Sequence, residues 1–193
     1  NHVPLAIRFP KAIHAPGRTI NDFVNFTDIA PTILDYAGIQ SETCGMAPIT
    51  GVSWRDIFEQ RSSEKTTRSR DHVLIGKERN DVGRPNDTGY PIRGIVNGEF
   101  LYLHNFEPGR WPAGNPETGY LETDGSPTKS LILDLGRKQR NDPFWKWNFG
   151  MRPQEELYAI QEDPDCLKNL ATDQASQAMV IQLRDQLFAE LKQ

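Results

Sequence analysis

Asn97-Gly98 separates two short runs that are rich in β-branched, aromatic and leucine side chains, at residues 92–96 and 100–104. An Asn-Gly pair between two such runs is a strong signal for a β-hairpin, because both residues tolerate tight turns. Similar runs at residues 72–75 and 156–160 predict two further strands. The second half of the chain is therefore predicted to form a small antiparallel sheet.

The last 20 residues carry the clearest helical pattern. Apolar side chains recur at spacings of three and four, at Val180, Leu183, Leu187 and Leu191. This spacing predicts an amphipathic helix that begins after Thr172 or Asp173 and lies on the sheet through its leucine stripe.

The front half is predicted to contain one strand and two helices. Residues 3–10 form a continuous apolar run that ends at a proline, which is typical of a buried inner strand. Thr27 or Asp28 can cap a helix that has Pro31 in its first turn and ends at Gly38. The apolar residues of that helix, which line one of its sides, are Ile29, Ile33, Leu34 and Ala37.

A second, shorter helix is expected from Trp54 to Phe58, with Ser53 as its cap and with Trp54, Ile57 and Phe58 buried together. Residues 107–129 are rich in Gly, Pro and polar side chains and are predicted to wrap the surface. The whole chain is therefore predicted to be α+β: a strand and helix that need a larger sheet to join, then a small antiparallel sheet packed against a long C-terminal helix.

Composition excludes several classes of partner. The 22 Lys and Arg residues against 26 Asp and Glu residues give a formal charge of −4, which provides no basic field for nucleic acid. No apolar stretch approaches the roughly 20 residues that span a bilayer, so no membrane partner is expected. The first residues lack the pattern of a signal peptide and the chain lacks an initiator Met, so we expect it to be a piece of a longer protein.

The cysteines and histidines do not form a metal motif. Cys44 and Cys166 are far apart in sequence, and two thiols are expected, although a disulfide between them stays open. The four histidines do not have the spacing of a zinc site. No metal ligand is assigned in this chain.

The segment from Gly76 to Arg93 carries eight ionisable side chains, three glycines and two prolines between two strand-like runs. Such a segment is stable only as a surface loop, and loops that follow rigid strands often bind ligands. Its arginines can bind sulfate or carboxylate oxygens in a two-pronged manner, and its acidic and amide groups can bind sugar hydroxyls. The candidate substrate-binding residues are Lys77, Glu78, Arg79, Asn80, Asp81 and Arg84.

The alternative for this loop is a solvated set of internal ion pairs, in which Asp81 or Asp87 holds Arg93. His104, at a predicted strand end, is interpreted as a hydrogen-bonded core residue. An aromatic group is interpreted as burial under long loops, with a sugar-stacking platform as the alternative. Its members are Trp111, Tyr120, Phe144, Trp145, Trp147 and Phe149.

The order of these segments resembles the C-terminal part of sulfatases. The resemblance is carried by the apolar run at 3–10, the Asp-Ile-Ala-Pro-Thr motif at 28–32, the Gly51-Val-Ser-Trp motif, and a later series of motifs. That series is Tyr90-Pro-Ile-Arg, Phe100-Leu-Tyr-Leu-His-Asn, Glu156-Leu-Tyr, Asp163-Pro and Lys168-Asn-Leu-Ala. The His104-Asn105 ending and the Leu183-Arg-Asp-Gln-Leu helix are most similar to the heparan N-sulfatase (sulfamidase) branch.

The resemblance implies an α/β parent enzyme that hydrolyses sulfate esters or sulfamates of a sulfated sugar with a formylglycine nucleophile and a calcium ion. The Cys/Ser-x-Pro-x-Arg motif that yields formylglycine is absent from this sequence, as are the acidic metal pairs of the family. We therefore expect both groups to come from an upstream catalytic portion, and no catalytic residue is assigned here. Residues 1–70 would then belong to the catalytic domain and 71–193 to a small C-terminal subdomain, inactive alone.

Two other functions stay open at this stage. The chain could be a glycan-binding or interaction module, whose aromatic group and charged loop form one complete site. It could also belong to a related phosphatase or phosphonate hydrolase of the alkaline-phosphatase-like architecture. A periplasmic or secreted location is expected for a bacterial source and a lysosomal one for an animal source.

Overall fold

The computed structural model describes residues 3–61, 70–78, 86, 88–117, 123–139 and 141–192. The chain divides into two compact units, Asn1–Val73 and Leu74–Gln193, called here the first and second units. The helices are α1 (Ile29–Ala37), α2 (Arg55–Glu59), α3 (Pro127–Lys138), α4 (Pro143–Phe149) and α5 (Gln177–Glu190). The strands are β1 (His72–Lys77), β2 (Ile92–Asn97), β3 (Phe100–Asn105) and β4 (Glu155–Ala159).

Helix α1 confirms the predicted helix and shows how it is capped. A 3-10 turn, Phe26–Asp28, precedes it, and Asn25 and Asp28 exchange side-chain to backbone hydrogen bonds in a capping box. Gly38 ends the helix with a φ of 69° and donates to the carbonyls of Asp35 and Leu34. This left-handed conformation is the one that glycine adopts without steric cost.

The core of the first unit lies around α2, as predicted. Trp54, Ile57 and Phe58 are buried together with Ala12. The Thr32 side chain of α1 accepts a hydrogen bond from the Trp54 backbone N–H at 2.9 Å. The apolar residues predicted to line one side of α1 do not enter this core, and Ile29 and Ile33 are exposed.

The predicted strand at residues 3–10 is wrong for the described structure. Residues 3–9 form no strand, and Val3, Leu5 and Ile7 are exposed. A strand exists only where its backbone pairs with a neighbour, and the part of the chain that the structure describes supplies no neighbouring strand there.

The second unit is built on one four-stranded sheet in the order β1-β2-β3-β4. The β2–β3 and β3–β4 pairs are antiparallel, with Ile95 opposite Tyr102 and Tyr102 opposite Leu157. The predicted hairpin is confirmed, but its turn does not use a left-handed glycine. Instead the Asn97 side-chain oxygen accepts from the backbone N–H groups of Glu99 and Phe100 at 2.9 and 2.7 Å.

Helix α5 covers one face of this sheet. It buries Val180, Leu183 and Leu187 in one core with Ile95, Tyr102 and Leu157 of the sheet. Leu191 is exposed. The helix begins four residues later than Asp173, because Asp173 caps a separate 3-10 turn, Gln174–Ser176. The predicted α+β class, with a C-terminal helix on an antiparallel sheet, is confirmed.

Helices α3 and α4 were not predicted and form a helical pair. Ser126 caps α3 and Asp142 caps α4, each through a side-chain oxygen that accepts a backbone N–H. The Trp145 ring packs against Gly136 so closely that a Cβ placed there would lie 2.1 Å from a ring atom. Position 136 of α3 therefore accommodates only glycine.

Two further features complete the description. Cys44 and Cys166 are free thiols, as expected from their separation. Among the described residues, no helix combines the length and the apolar character needed to cross a membrane.

Candidate functional site

The base of the charged loop is the region where the structure can place predicted site residues. Lys77 is the last residue of β1, and Glu78 follows it with an exposed side chain. The Tyr90 N–H donates to the Glu78 carbonyl at 2.7 Å, and Tyr90 itself is buried, which fixes both ends of the loop. The other predicted substrate-binding residues, Arg79, Asn80, Asp81 and Arg84, lie outside the described residues.

Arg93 of β2 forms several hydrogen bonds at the base of this loop. Its guanidinium donates to the Glu78 carboxylate at 2.9 Å and to the Ile92 and Lys77 carbonyls at 2.9 and 3.3 Å. The internal ion pair anticipated for Arg93 is therefore present, but with Glu78 as the partner, while Asp81 and Asp87 lie outside the described residues. Glu78 thus has a structural contact that does not preclude binding, because its side chain is more than half exposed.

A second arginine holds the other end of the loop. Arg110 donates to the Gly89 carbonyl at 3.0 Å and forms an ion pair with Glu107 at 3.2 Å. Gly89 lies so close to Glu78 that a Cβ there would be 3.0 Å from the Glu78 carbonyl oxygen. Two arginines and a lysine therefore lie at the base of the predicted binding loop.

This arrangement suits an anionic ligand. Exposed ion pairs contribute little net free energy, so an incoming sulfate or carboxylate can exchange with a protein carboxylate at low cost. Guanidinium groups bind such planar or tetrahedral oxyanions through two parallel hydrogen bonds. The geometry is compatible with the predicted role of the loop, which stays a prediction.

His104 is confirmed as a core residue. It is buried, its ring contacts Phe106 and Phe188 edge-to-face, and its Nδ1 lies 3.3 Å from the Tyr102 hydroxyl. Burial holds the pKa of His104 below its usual value. The Tyr102 hydroxyl donates its single proton to the Glu155 carboxylate at 2.7 Å, so the neutral imidazole must carry its proton on Nδ1 to satisfy Tyr102.

A buried polar cluster beside His104 was missed by the sequence analysis. Asn105 is fully buried, and its amide N–H groups donate to the Pro153 carbonyl at 2.7 Å and to Glu156 at 2.8 Å. The other oxygen of Glu156 accepts from the Tyr158 hydroxyl at 2.5 Å. The available signal was the polar Asn105 at the end of one strand and the Glu156 and Tyr158 pair, two residues apart, in another, but only the β3–β4 pairing brings them together.

The aromatic group divides into packed and exposed members. Phe149 is buried, which confirms the interpretation for that residue, whereas Trp145 and Trp111 are half-buried and pack on each other with ring centroids 6.2 Å apart. Phe144 and Trp147 are exposed, which that interpretation did not anticipate. Tyr120 lies outside the described residues.

A shallow groove with a volume of about 480 Å³ lies among the described residues of the first unit. It lies between the C-terminal half of α1 and the start of α2, and its polar members include Asp35, Ser53 and Arg55. The Ser53 hydroxyl, followed by Arg55, holds the pKa of Asp35 below its usual value, because both donate to that carboxylate. None of the predicted site residues lines this groove.

The described residues do not fit a calcium site. They contain no group of three or more His, Cys, Asp or Glu side chains that could hold a metal ion. No step of the chemistry can therefore be assigned to a metal on this part of the chain.

The comparisons with known proteins agree with the motifs found in the sequence. Residues 1–74 match the family described as N-sulphoglucosamine sulphohydrolase, C-terminal. The chain is 26% identical over 193 residues to an ulvan-active sulfatase of Formosa agariphila, covering 98% of the chain and 33% of that protein. It is 24% identical over 201 residues to N-sulphoglucosamine sulphohydrolase of Homo sapiens, covering 95% of the chain and 35% of that protein.

The chain thus spans about a third of the length of these curated relatives. Among solved structures, it is similar to the phosphonate monoester hydrolase of Agrobacterium radiobacter, with a TM-score of 0.58 and 16% identity over 95% of the chain and 28% of that protein. It is also similar to BT4656 in complex with its substrate D-glucosamine-2-N,6-O-disulfate, with a TM-score of 0.54 and 17% identity over 96% of the chain and 27% of that protein. These likenesses show the fold, and the predicted resemblance to the C-terminal part of sulfatases is confirmed.

Proposed function

We propose that this chain is the C-terminal part of a sulfatase that hydrolyses sulfate esters or sulfamates of a sulfated glycan. The observation that carries this proposal is the similarity to two sulfatases over almost the whole chain, with residues 1–74 matching a family defined by the C-terminal part of one of them. The substrates named for these relatives, ulvan and N-sulphoglucosamine, place a sulfated sugar first among the candidates.

The reactive groups belong to another part of the protein in this proposal. A formylglycine and a calcium ion supply nucleophilic and electrostatic chemistry in the enzymes that the chain resembles. The chain lacks the sequence motif for the first, and its described residues lack a cluster for the second. This polypeptide alone is therefore expected to be inactive.

The exposed apolar residues of the first unit support placement within a larger protein. Val3, Leu5 and Ile7 are exposed in a segment that pairs with no strand of the described structure, and Phe26 and Ile33 of the same unit are also exposed. Exposed apolar side chains are more stable when another surface covers them. We assign that surface to the catalytic portion of the same protein.

The role of the chain is to shape the substrate site through the loop between β1 and β2. Arg93 and Arg110 each donate to a backbone carbonyl at the base of this loop, those of Lys77 and Gly89, and Arg79 and Arg84 add two further arginines in sequence. Arginines on a loop that is anchored at a rigid strand end can select sugars with several anionic groups, because each guanidinium can bind one oxyanion.

The test is a comparison of the intact wild-type protein with its Arg79→Ala variant on two substrates. The wild type is expected to release sulfate from a sulfated disaccharide and from a small aryl sulfate. Arg79→Ala is expected to raise KM for the disaccharide about tenfold, equivalent to one charge-assisted hydrogen bond, and to leave the aryl sulfate within about twofold.

The matched control is Arg55→Ala, which removes an exposed, ion-paired arginine of the first unit. It should leave both KM values unchanged. Equal effects of Arg79→Ala on the two substrates would remove the selectivity role from this loop.

A second candidate function comes from the likeness to phosphonate monoester hydrolase, whose fold this chain shares. The same assay distinguishes a sulfatase from a phosphonate hydrolase when a phosphonate monoester is added as a third substrate. Release of phosphonate product without release of sulfate would replace the sulfatase proposal.

A further inference from the structure

β4 is an end strand of the sheet that the described residues form. The Ile160 N–H, just after β4, donates to the Glu99 carbonyl at 3.0 Å on the side of β3. Just before β4, the Gln154 carbonyl accepts from the Asn105 N–H on the same side at 2.8 Å. Because the backbone groups of successive residues point to opposite sides of a strand, the odd-numbered residues of β4 direct their N–H and C=O groups away from β3.

Such an outer edge is a hazard for a sheet protein, because its N–H and C=O groups can pair with a strand of another chain. Proteins commonly protect an edge with Lys or Pro residues, or cover it with another segment. β4 has the sequence Glu-Glu-Leu-Tyr-Ala, which contains neither Lys nor Pro. Its outer side is instead covered by residues 162–171, called here the edge segment.

The edge segment is attached to β4 through the backbone at both of its ends. The N–H groups of Glu162 and Asp163 donate to the Ala159 carbonyl at 3.0 and 2.8 Å. The Leu170 N–H donates to the Leu157 carbonyl at 2.8 Å. The Leu170 side chain also packs against the buried core of the second unit, which holds this end of the segment against the sheet.

The Asn169 side chain makes the hydrogen bonds that a further strand would make. Its Nδ2 donates to the Glu155 carbonyl at 3.2 Å, and its Oδ1 accepts from the Leu157 N–H at 2.9 Å. One residue of a parallel neighbouring strand would bond to the same two groups, a C=O and the N–H two residues later. The Asn169 amide therefore binds β4 as the backbone of a parallel strand would.

The backbone around Asn169 is itself held by hydrogen bonds. The Asn169 Oδ1 also accepts from the Ala171 N–H at 2.9 Å. Before Asn169 in sequence, the Asp163 carboxylate accepts from the N–H groups of Leu167 and Lys168 at 3.1 and 2.8 Å. These contacts hold the side-chain amide in the position that pairs with β4.

We propose that the edge segment prevents self-association of the sheet, with the Asn169 amide occupying the edge of β4 at which a second copy of this chain would otherwise pair. The second copy is the partner that fits, because its β4 edge carries the identical set of donors and acceptors and two such edges can pair about a two-fold axis. This role does not depend on the reaction that the protein catalyses, since it involves only hydrogen bonding at the edge of the sheet.

The experiment compares the intact wild-type and Asn169→Ala proteins by hydrogen exchange of the Leu157 amide and by sedimentation. In dilute solution the Leu157 amide of the variant is expected to exchange about tenfold faster, because its acceptor is removed. At higher protein concentration the variant is expected to form dimers that the wild type does not form at the same concentration. Protection of the Leu157 amide should then return, because the two β4 edges pair.

The matched control is Gln161→Ala. The Gln161 amide also donates to a backbone carbonyl, that of Gly98 at 2.7 Å, but it lies on an exposed surface beyond the end of β4. This variant should leave both the exchange of the Leu157 amide and the association state unchanged.

Three results would overturn the proposal. The first is an Asn169→Ala protein that keeps the association state of the wild type at every concentration. The second is association in which the Leu157 amide stays unprotected, because β4 would then not be the pairing surface. The third is loss of protection throughout β2 and β3 in dilute solution, because Asn169 would then hold the whole sheet together instead of closing its edge.

Discussion

Arg70→Ala is expected to destabilise the first unit by about 3 kcal/mol, the low end for breaking a buried ion pair. The Arg70 side chain is 6% exposed, and its guanidinium donates to both Asp56 carboxylate oxygens at 2.6 and 2.7 Å and to the Ser53 carbonyl at 3.1 Å. Removal of the arginine leaves a partly buried carboxylate and a carbonyl without these donors, which costs more than the pair contributes.

The measurement is amide hydrogen exchange of the α2 backbone in the intact protein, which reports the free energy of local opening without requiring two-state unfolding. Arg55→Ala is the matched control, because Arg55 also forms two ion pairs but is 46% exposed, and its removal should cost less than about 1 kcal/mol. Equal protection of α2 in wild type and Arg70→Ala would show that the ion pair does not hold the unit together.

The same pair makes a pH-dependent contribution. Burial alone would raise the pKa of Asp56, but the hydrogen bonds and charge of Arg70 outweigh burial and hold the pKa below its ordinary value. Because the folded state binds the proton less tightly than the unfolded state, this stability is present above about pH 4 and is lost as the pH falls through the lowered pKa. The Arg70→Ala variant should lose this pH-dependent contribution to the free energy of unfolding.

Asn105→Ala is expected to destabilise the sheet of the second unit by about 3 kcal/mol, since each buried group that loses its partner costs about 1–3 kcal/mol. Asn105 is fully buried and donates to the Pro153 carbonyl and to Glu156, and Glu156 is itself buried. The alanine side chain removes the donor to the Pro153 carbonyl and to one Glu156 oxygen, and it leaves a small cavity as well.

The measurement is hydrogen exchange of the backbone amides of β3 and β4, the two strands that the Asn105 side-chain amide connects. Asn148→Ala is the control, because the Asn148 amide also donates to a carbonyl, that of Phe144 at 2.8 Å, but on an exposed surface. It should change protection by only a few tenths of a kcal/mol. If both asparagine variants have the same effect, burial of the cluster is not what stabilises this end of the sheet.

The elements that the sequence predicted are those in which local pattern and tertiary packing agree. Asn97-Gly98 predicted the hairpin because turn chemistry is local. The apolar stripe predicted α5 because the period of its first three members matches the face that the sheet buries, although the fourth, Leu191, is exposed. Residues 3–10 have an equally clear pattern, but a strand depends on a partner that the described structure does not contain. Helix α3 was missed because its Gly136 and polar flanks resemble a loop, and only the contact with Trp145 explains that glycine.

The distinction between local pattern and tertiary packing also applies to the candidate site. The density of charge between β1 and β2 was visible in the sequence, and the structure places Lys77 and Glu78 at the base of that loop. The pairing of Arg93 with Glu78 was not predictable, because it depends on how β1 lies beside β2 and not on sequence distance. The exposure of Phe144 and Trp147 was equally hidden, since four similar aromatic residues nearby could each have been the buried ones.

The most direct measurement of the central claim compares sulfate release by the intact protein with that by residues 1–193 alone, on the same sulfated disaccharide. Turnover is expected from the intact protein and not from the isolated polypeptide, because the proposed function assigns the reactive groups to another part of the protein. Turnover by the isolated polypeptide, or an intact protein that releases no sulfate, would contradict it.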